Sequence, residues 1–259
     1  MSSELELIER SDGTLVLPTN ADPAAVGARA LGFRRYAVSL DVGGRGEDPS
    51  AMCIIKAERR PFLTGRGFEQ ALTPLQLTVV WTETAKLDEA VDVVDWSVSV
   101  LRKLKNWRFC FDATGMGAPL EGLYQQAKVA ATPMVMTAGA TFTRDGSRVR
   151  VSKNLLFENA ATCLENGTLQ IAHDLPEKDS LIREAQSVEF KETSAGNLTL
   201  AGGGRGHHAD RFVAMCLATF LETHIAPQRM WSTIGRRWKH ARPTQLPSVA
   251  RSSVIPCRA

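Results

Sequence analysis

The chain has 259 residues, 44% hydrophobic and 23% charged, with a net charge of +3, ordinary values for a soluble globular protein with one large or two small domains. No apolar run approaches the roughly 20 residues of a membrane span, and the polar, acidic start "MSSELELIERSDG" is no signal peptide. A cytoplasmic protein without a membrane partner is expected. Cys53, Cys110, Cys163, Cys216 and Cys257 show no CxxC spacing. The first four lie in apolar runs, so they read as small core residues in a reducing compartment, not as a disulfide frame or a zinc site.

Residues 1–32 show little periodicity and read as a leader or linker. A single α/β domain is expected over 33–225, followed by a basic tail over 226–259. Arg35 to Leu40 reads as a buried strand, "SAMCIIKAE" as a second and "LQLTVVWTET" as a third, with a turn-rich connection between the last two. Short connections make these an antiparallel meander. The period then changes: Leu87, Ala90, Val91, Val94, Val98 and Leu101 form one helical stripe. "NWRFCFD" is a strand, "GMGAPLEGLYQQAK" a helix with Pro119 suited to its first turn, and "TPMVMTAG" another strand. The order β-β-β-α-β-α-β predicts a mixed sheet with crossover helices. "TFTRDGSRVRVSKN" reads as a basic loop. Helices are expected from Lys153 to Glu165, over "EKDSLIREAQSVEF" and over "HADRFVAMCLATFLETH", with "TLQIA" a short strand and a hairpin around Gly196-Asn197.

Three carboxylates share one kind of placement. Asp41 ends a strand before Gly43, Gly44 and Gly46. Asp112 ends a strand before "ATGMG", and Asp210 opens a helix after a glycine-rich loop. The first glycine turn has three readings: a phosphate cradle, a metal held at a strand end, or a hairpin with an exposed acid. If the strands ending at Asp41 and Asp112 are neighbours, their carboxylates emerge at one sheet edge, and a helix across that edge can bring Asp210 to them. Such a cluster repels itself and raises its own pKa values unless divalent cations intervene. Mg²⁺ or Mn²⁺ takes oxygen ligands, and two such ions roughly 3.5–4 Å apart can serve phosphodiester hydrolysis.

"LDVGGRGEDPSAMCII", "FCFDATGMGAPLEGLY" and "GHHADRFVAMCLA" resemble, in order and spacing, the three acidic motifs of the nuclease domain of phage terminase large subunits. Asp41 and Asp48 match the first motif. Asp112, Gly115 and Gly117 match the second, and His208, Asp210, Ala214 and Ala218 the third. The resemblance covers about 34–224. It implies an RNase H-like (RuvC-like) fold and metal-dependent, sequence-tolerant cleavage of double-stranded DNA during genome packaging. It makes Asp41, Asp112 and Asp210 the catalytic metal ligands for two Mg²⁺ or Mn²⁺ ions, with Asp48 accessory. It also implies a packaging ATPase motor, a portal and a small terminase subunit as partners. The chain holds no Gly-x-x-x-x-Gly-Lys-Ser/Thr, so no phosphate-binding lysine of that kind is present, and translocation by this polypeptide alone is not expected.

Around that core, His207 and His208 stand beside Asp210, and His208 is a candidate auxiliary residue that contacts phosphate, orients water, binds a metal or orders its loop. Arg144, Arg148, Arg150 and Lys153 are candidate DNA-phosphate contacts, against the alternative of a solvated loop. The tail carries seven basic residues and no acidic ones, with Trp231 and Trp238 among them. It suits nucleic acid, an acidic partner or plain solvation. The rival readings are a junction resolvase or transposase of the same fold, an actin-like or sugar-kinase-like ATPase, and a non-catalytic DNA-binding assembly module.

Overall fold

The computed structural model describes residues 6–18, 30–43, 48–64, 70–139, 141–192, 198–202 and 209–225. Two short strands come first, β1 (Ile8–Glu9) and β2 (Thr14–Val16). They fall in the segment read from sequence as a leader, yet β2 pairs with the next strand and Leu15, Val16 and Leu17 are buried. The first two apolar runs form ten-residue strands, β3 (Gly32–Asp41) and β4 (Ser50–Arg59). The turn-rich connection holds a small antiparallel pair, β5 (Pro61–Leu63) and β6 (Gln70–Leu72). Then come β7 (Gln76–Ala85), α1 (Ala90–Leu101), β8 (Trp107–Asp112), a 3-10 turn at Gly115–Gly117, α2 (Leu120–Gln126) and β9 (Ala131–Thr137).

The segment read as a basic loop is instead a β-hairpin, β10 (Phe142–Asp145) and β11 (Arg148–Ser152). The buried Val149 and Val151 alternate with the exposed Arg148 and Arg150, and Gly146 takes φ +57° in the two-residue turn. The remaining elements are α3 (Lys153–Glu165), β12 (Leu169–Ile171), α4 (Lys178–Gln186), the hairpin β13 (Val188–Glu192) with β14 (Leu198–Gly202), and α5 (Asp210–Phe220), which runs into a π-helical turn at Leu221–Ile225.

One mixed sheet organises the chain, in the order β10-β11-β9-β8-β3-β4-β7-β12. β3, β8, β9 and β11 are parallel, while β4 is antiparallel to both β3 and β7. The central order β7-β4-β3-β8-β9, with β4 alone reversed, is the RNase H-like arrangement. The meander and the crossover helices expected from the sequence are both present.

Pleating sorts the side chains onto two cores. From β3, Ala37 points to one face and Val38 and Leu40 to the other; from β4, Ala51, Cys53 and Ile55 oppose Met52 and Ile54. The first face is covered by α3 and α5, whose buried residues Leu156, Phe157, Val213 and Leu217 join that core. The second is covered by α1 and α2 through Val94, Leu101, Leu120 and Tyr124. Cys53, Cys110, Cys163 and Cys216 are free and buried, as the apolar runs around them predict. No helix among the described residues is long and apolar enough to cross a membrane.

Candidate active site

β3 and β8 run parallel, and Leu40 opposite Phe111 is their last matched pair. Asp41 and Asp112 each follow by one residue, so the two strands deliver a carboxylate to the same edge of the sheet. The pleat sets their direction. Asp41 shares a face with Ala37 and Ser39, and Asp112 with Cys110, which is the face that α5 covers.

α5 starts at that edge and runs away from it. Ser39 Oγ, fully buried, donates to the Ala214 carbonyl over 2.5 Å and pins the helix to β3. From this pin Asp41 lies two residues on, about 7 Å at strand rise. Asp210 lies four residues back along α5, about 6 Å at helical rise. The two advances match, and Asp210 acts electrostatically on Asp41.

Protein atoms crowd the Asp41 carboxyl, and burial is the main reason its pKa stands well above the ordinary carboxylate range. The charges of Asp112 and Asp210 raise it further, Lys153 opposes them, and Glu184 adds to the rise. Asp112 is also raised by burial. It is held back by the Thr114 N–H, which donates to its Oδ1 over 2.8 Å, and by Lys153.

The glycines of both strand-end turns have identifiable work. Gly115 adopts φ +54°, a left-handed conformation that other residues take at a cost. A Cβ on Gly117 would stand 1.8 Å from the Asp112 carbonyl oxygen, so the 3-10 turn closes over Asp112 only without a side chain there. A Cβ on Gly43 would stand 2.2 Å from the Asp48 carbonyl oxygen. That close approach, with the Gly43 N–H donating to Ser50 Oγ over 3.1 Å, brings Asp48 back alongside the end of β3.

Two residues that the sequence reading did not group with the carboxylates act on them. Glu184, on α4, accepts from the Phe212 N–H over 3.1 Å and from Arg211 Nη1 over 2.7 Å. The residue preceding α5, Ala209, offers no side-chain cap, so a carboxylate from another helix satisfies the first turn. Lys153, grouped in sequence with the arginines of the hairpin, is the first residue of α3 and acts on Asp41 and Asp112. The four basic residues therefore do not form one patch. Arg148 and Arg150 project from the opposite face of β11 to the buried Val149 and Val151, and Arg148 pairs with Glu121 of α2. Arg144 lies on β10 opposite Val149.

Hard carboxylate oxygens in this number suit Mg²⁺ or Mn²⁺ chemically. Among the described residues, no three His, Cys, Asp or Glu side chains are drawn together closely enough to enclose an ion. His207, His208, Gly44, Gly46 and the basic tail 226–259 lie outside the described residues.

No family model matches the chain, and no curated protein matches it. Several solved structures do, and they are nuclease domains of phage large terminases, the family that the three acidic motifs resemble. The large terminase nuclease of thermophilic phage G20c with bound magnesium is 18% identical, with a TM-score of 0.47, over 85% of this chain and 91% of that one. The K428A mutant nuclease domain of gp2 from bacterial virus Sf6, with manganese and beta-thujaplicinol, is 15% identical, with a TM-score of 0.49, over 71% and 87%. The g2p nuclease domain of bacteriophage SPP1 with bound Mn is 11% identical, with a TM-score of 0.39, over 73% and 85%.

Proposed function

We propose that this chain is a divalent-metal-dependent endonuclease of the terminase type, hydrolysing phosphodiester bonds of double-stranded DNA during viral genome packaging. The observation that carries the reading is the convergence of Asp41, Asp112 and the start of α5 on one sheet edge, with Asp41 in electrostatic contact with both other carboxylates. Two Mg²⁺ or Mn²⁺ ions bound there would activate the attacking water and stabilise the leaving oxygen.

The chain's own residues divide the remaining work. Asp41 and Asp112 would ligate the ions from the strand ends and Asp210 from the helix, with Asp48 accessory on the returning arm. The repulsion that Asp112 and Asp210 exert on Asp41 is a source of cation affinity. Ser39 and Glu184 hold α5 at the height that keeps Asp210 in the group. His208, two residues before Asp210, is assigned an auxiliary role toward the phosphate or its water. The arginines of the β10–β11 hairpin, Arg148 and Arg150 exposed and Arg144 half-buried, would hold DNA through its phosphates without reading bases. A packaging motor, a portal and a small terminase subunit are the partners this reading assigns.

The test is incubation of supercoiled plasmid with the protein and Mg²⁺ or Mn²⁺, alongside Asp41→Asn, Asp112→Asn and Asp210→Asn. Nicking or linearisation is expected of the parent protein and not of the three variants. Cleavage that persists in all three would overturn the site assignment.

A further inference from the structure

The turn that leaves Asp112 carries no charge from Ala113 to Leu120. Met116, at its tip, is 49% exposed, and Thr114, Gly115, Ala118 and Pro119 are exposed around it. Single exposed apolar side chains are ordinary on a protein surface. This one stands on a backbone that is fastened at several points. The Ala113 N–H donates to the Met134 carbonyl over 2.7 Å, and Thr114 Oγ1 accepts from the Met136 N–H over 2.8 Å. The Gly117 N–H donates back to the Thr114 carbonyl over 3.1 Å, while Gly117 itself lies too close to Asp112 to bear a side chain. The turn is thus fixed relative to the Asp112 carboxylate, and it presents Met116 to solvent.

Its surroundings show what passes over it. Asp41 and Asp112 face α5, but Val42 turns the other way and packs on the core beneath α1 and α2. Val42 Cγ2 stands 3.5 Å from the place a Cβ on Gly117 would take, so the turn lies against the end of β3 on the α2 side. Arg148 and Arg150 project on that side too, opposite to Val149, and Arg148 pairs with Glu121, two residues beyond Pro119. Met134 is in register with both Asp112 and Val149. The two arginines therefore flank the height of Asp112, two strand spacings or about 10 Å away. Carboxylates, apolar turn and arginines share one end of the sheet.

We propose that Met116 packs against the deoxyribose faces that flank the scissile phosphate, and that this contact selects DNA over RNA; this rests on the nuclease reading above. A phosphate held at the carboxylates has a sugar on each side of it, and an uncharged turn offers those sugars an apolar rest without competing for the phosphate. Methionine and proline are among the apolar residues that proteins place in the minor groove, where the sugars are exposed. In RNA the same groove displays 2′-hydroxyl groups. A hydroxyl pressed against the Met116 thioether and methylenes would lose water and gain no hydrogen-bond partner of equal strength. Deoxyribose has no such group to desolvate.

The experiment is fluorescence anisotropy on the full chain with Ca²⁺ in place of Mg²⁺, using a short labelled DNA duplex and an RNA duplex of the same sequence over a salt series. The parent protein is compared with Met116→Ala, Met116→Gln and Met116→Leu, each checked for an unchanged thermal melt. The Ala and Gln variants are expected to bind DNA about fivefold more weakly, the loss of a partly buried methionine contact, and Leu to match the parent. The salt slope should not move, because no charge is removed, and RNA affinity should stay the same, so the preference for DNA falls by that factor. Ala and Gln variants that bind DNA as the parent does, or that lose DNA and RNA alike, overturn the proposal and leave the nuclease reading intact; so does a parent protein that binds both duplexes equally. A parent protein that neither binds nor cuts duplex DNA takes both readings down together.

Discussion

Asp41→Asn tests the electrostatics of the site without cutting any DNA. The substitution keeps the shape of the side chain and removes its charge. In the folded chain Asp41 is held well above its ordinary range, first because protein atoms around the half-buried carboxyl displace water and then because Asp112 and Asp210 act on it. The unfolded chain has neither cause. Ionising Asp41 therefore costs the folded state free energy that the unfolded state does not lose. Below the ordinary carboxylate range both states hold the proton, and the parent and the variant should be equally stable. As pH rises from that range through the raised folded-state value, the parent loses ground, and above it the full difference is reached. Burying a poorly compensated charge costs on the order of 2 kcal/mol. The metal-free variant should then melt about 4–8 °C higher at neutral pH, at the 2–4 °C per kcal/mol typical of chains of this size. Mn²⁺ should reverse the order: at a hundredfold excess over its dissociation constant it stabilises the parent by about 2.7 kcal/mol and the variant far less. Calorimetric melts in EDTA and in Mn²⁺, across acid to neutral pH, read both effects. A metal-free variant that melts below the parent at neutral pH, or gains as much from Mn²⁺, refutes the reasoning.

Gly117→Ala is expected to destabilise the fold by about 2–3 kcal/mol, since the new methyl would lie 1.8 Å from the Asp112 carbonyl oxygen and must displace it; thermal melts check this, and an unchanged midpoint would show that the turn yields freely. Arg150→Ala should leave the melting temperature within noise but flatten the salt dependence of DNA affinity by about 0.9 in log–log slope, the value of one phosphate contact. Filter binding across a salt series measures it, and an unaltered slope removes Arg150 from the DNA surface.

Much of the frame was legible because it depends on local periodicity. Short continuous apolar runs along "RRYAVSLD" and "RFCFD" mark both the strands and the end at which each aspartate emerges, and the helical stripe from Ala90 to Leu101 needs no tertiary information. The β10–β11 hairpin carried a usable signal, Asp145-Gly146 followed by valines alternating with arginines, which the density of positive charge masked. β1, β2, β5 and β6 are two or three residues long, too short to show a period. Glu184 and Lys153 lay beyond local reading for another reason. Each reaches the centre through long-range geometry: Lys153 through the parallel pairing of β11 with β9, and Glu184 through its bonds to Arg211 and Phe212, 27 and 28 residues away.

α5 is tied to β3 at a second point. The buried carboxylate of Glu222, in the π-helical turn, receives Arg35 Nη2 at 2.5 Å and Nε at 2.8 Å. Along β3 the anchors Arg35 and Ser39 are separated by about 13 Å at strand rise. Along the helix Ala214 and Glu222 are separated by about 12 Å at helical rise. Two fastenings at equal spans suppress both sliding and rolling of the rod, so its first residue keeps a fixed azimuth. One extra residue inserted between Asp210 and Ala214 would turn that carboxylate through about 100° while both fastenings stayed closed.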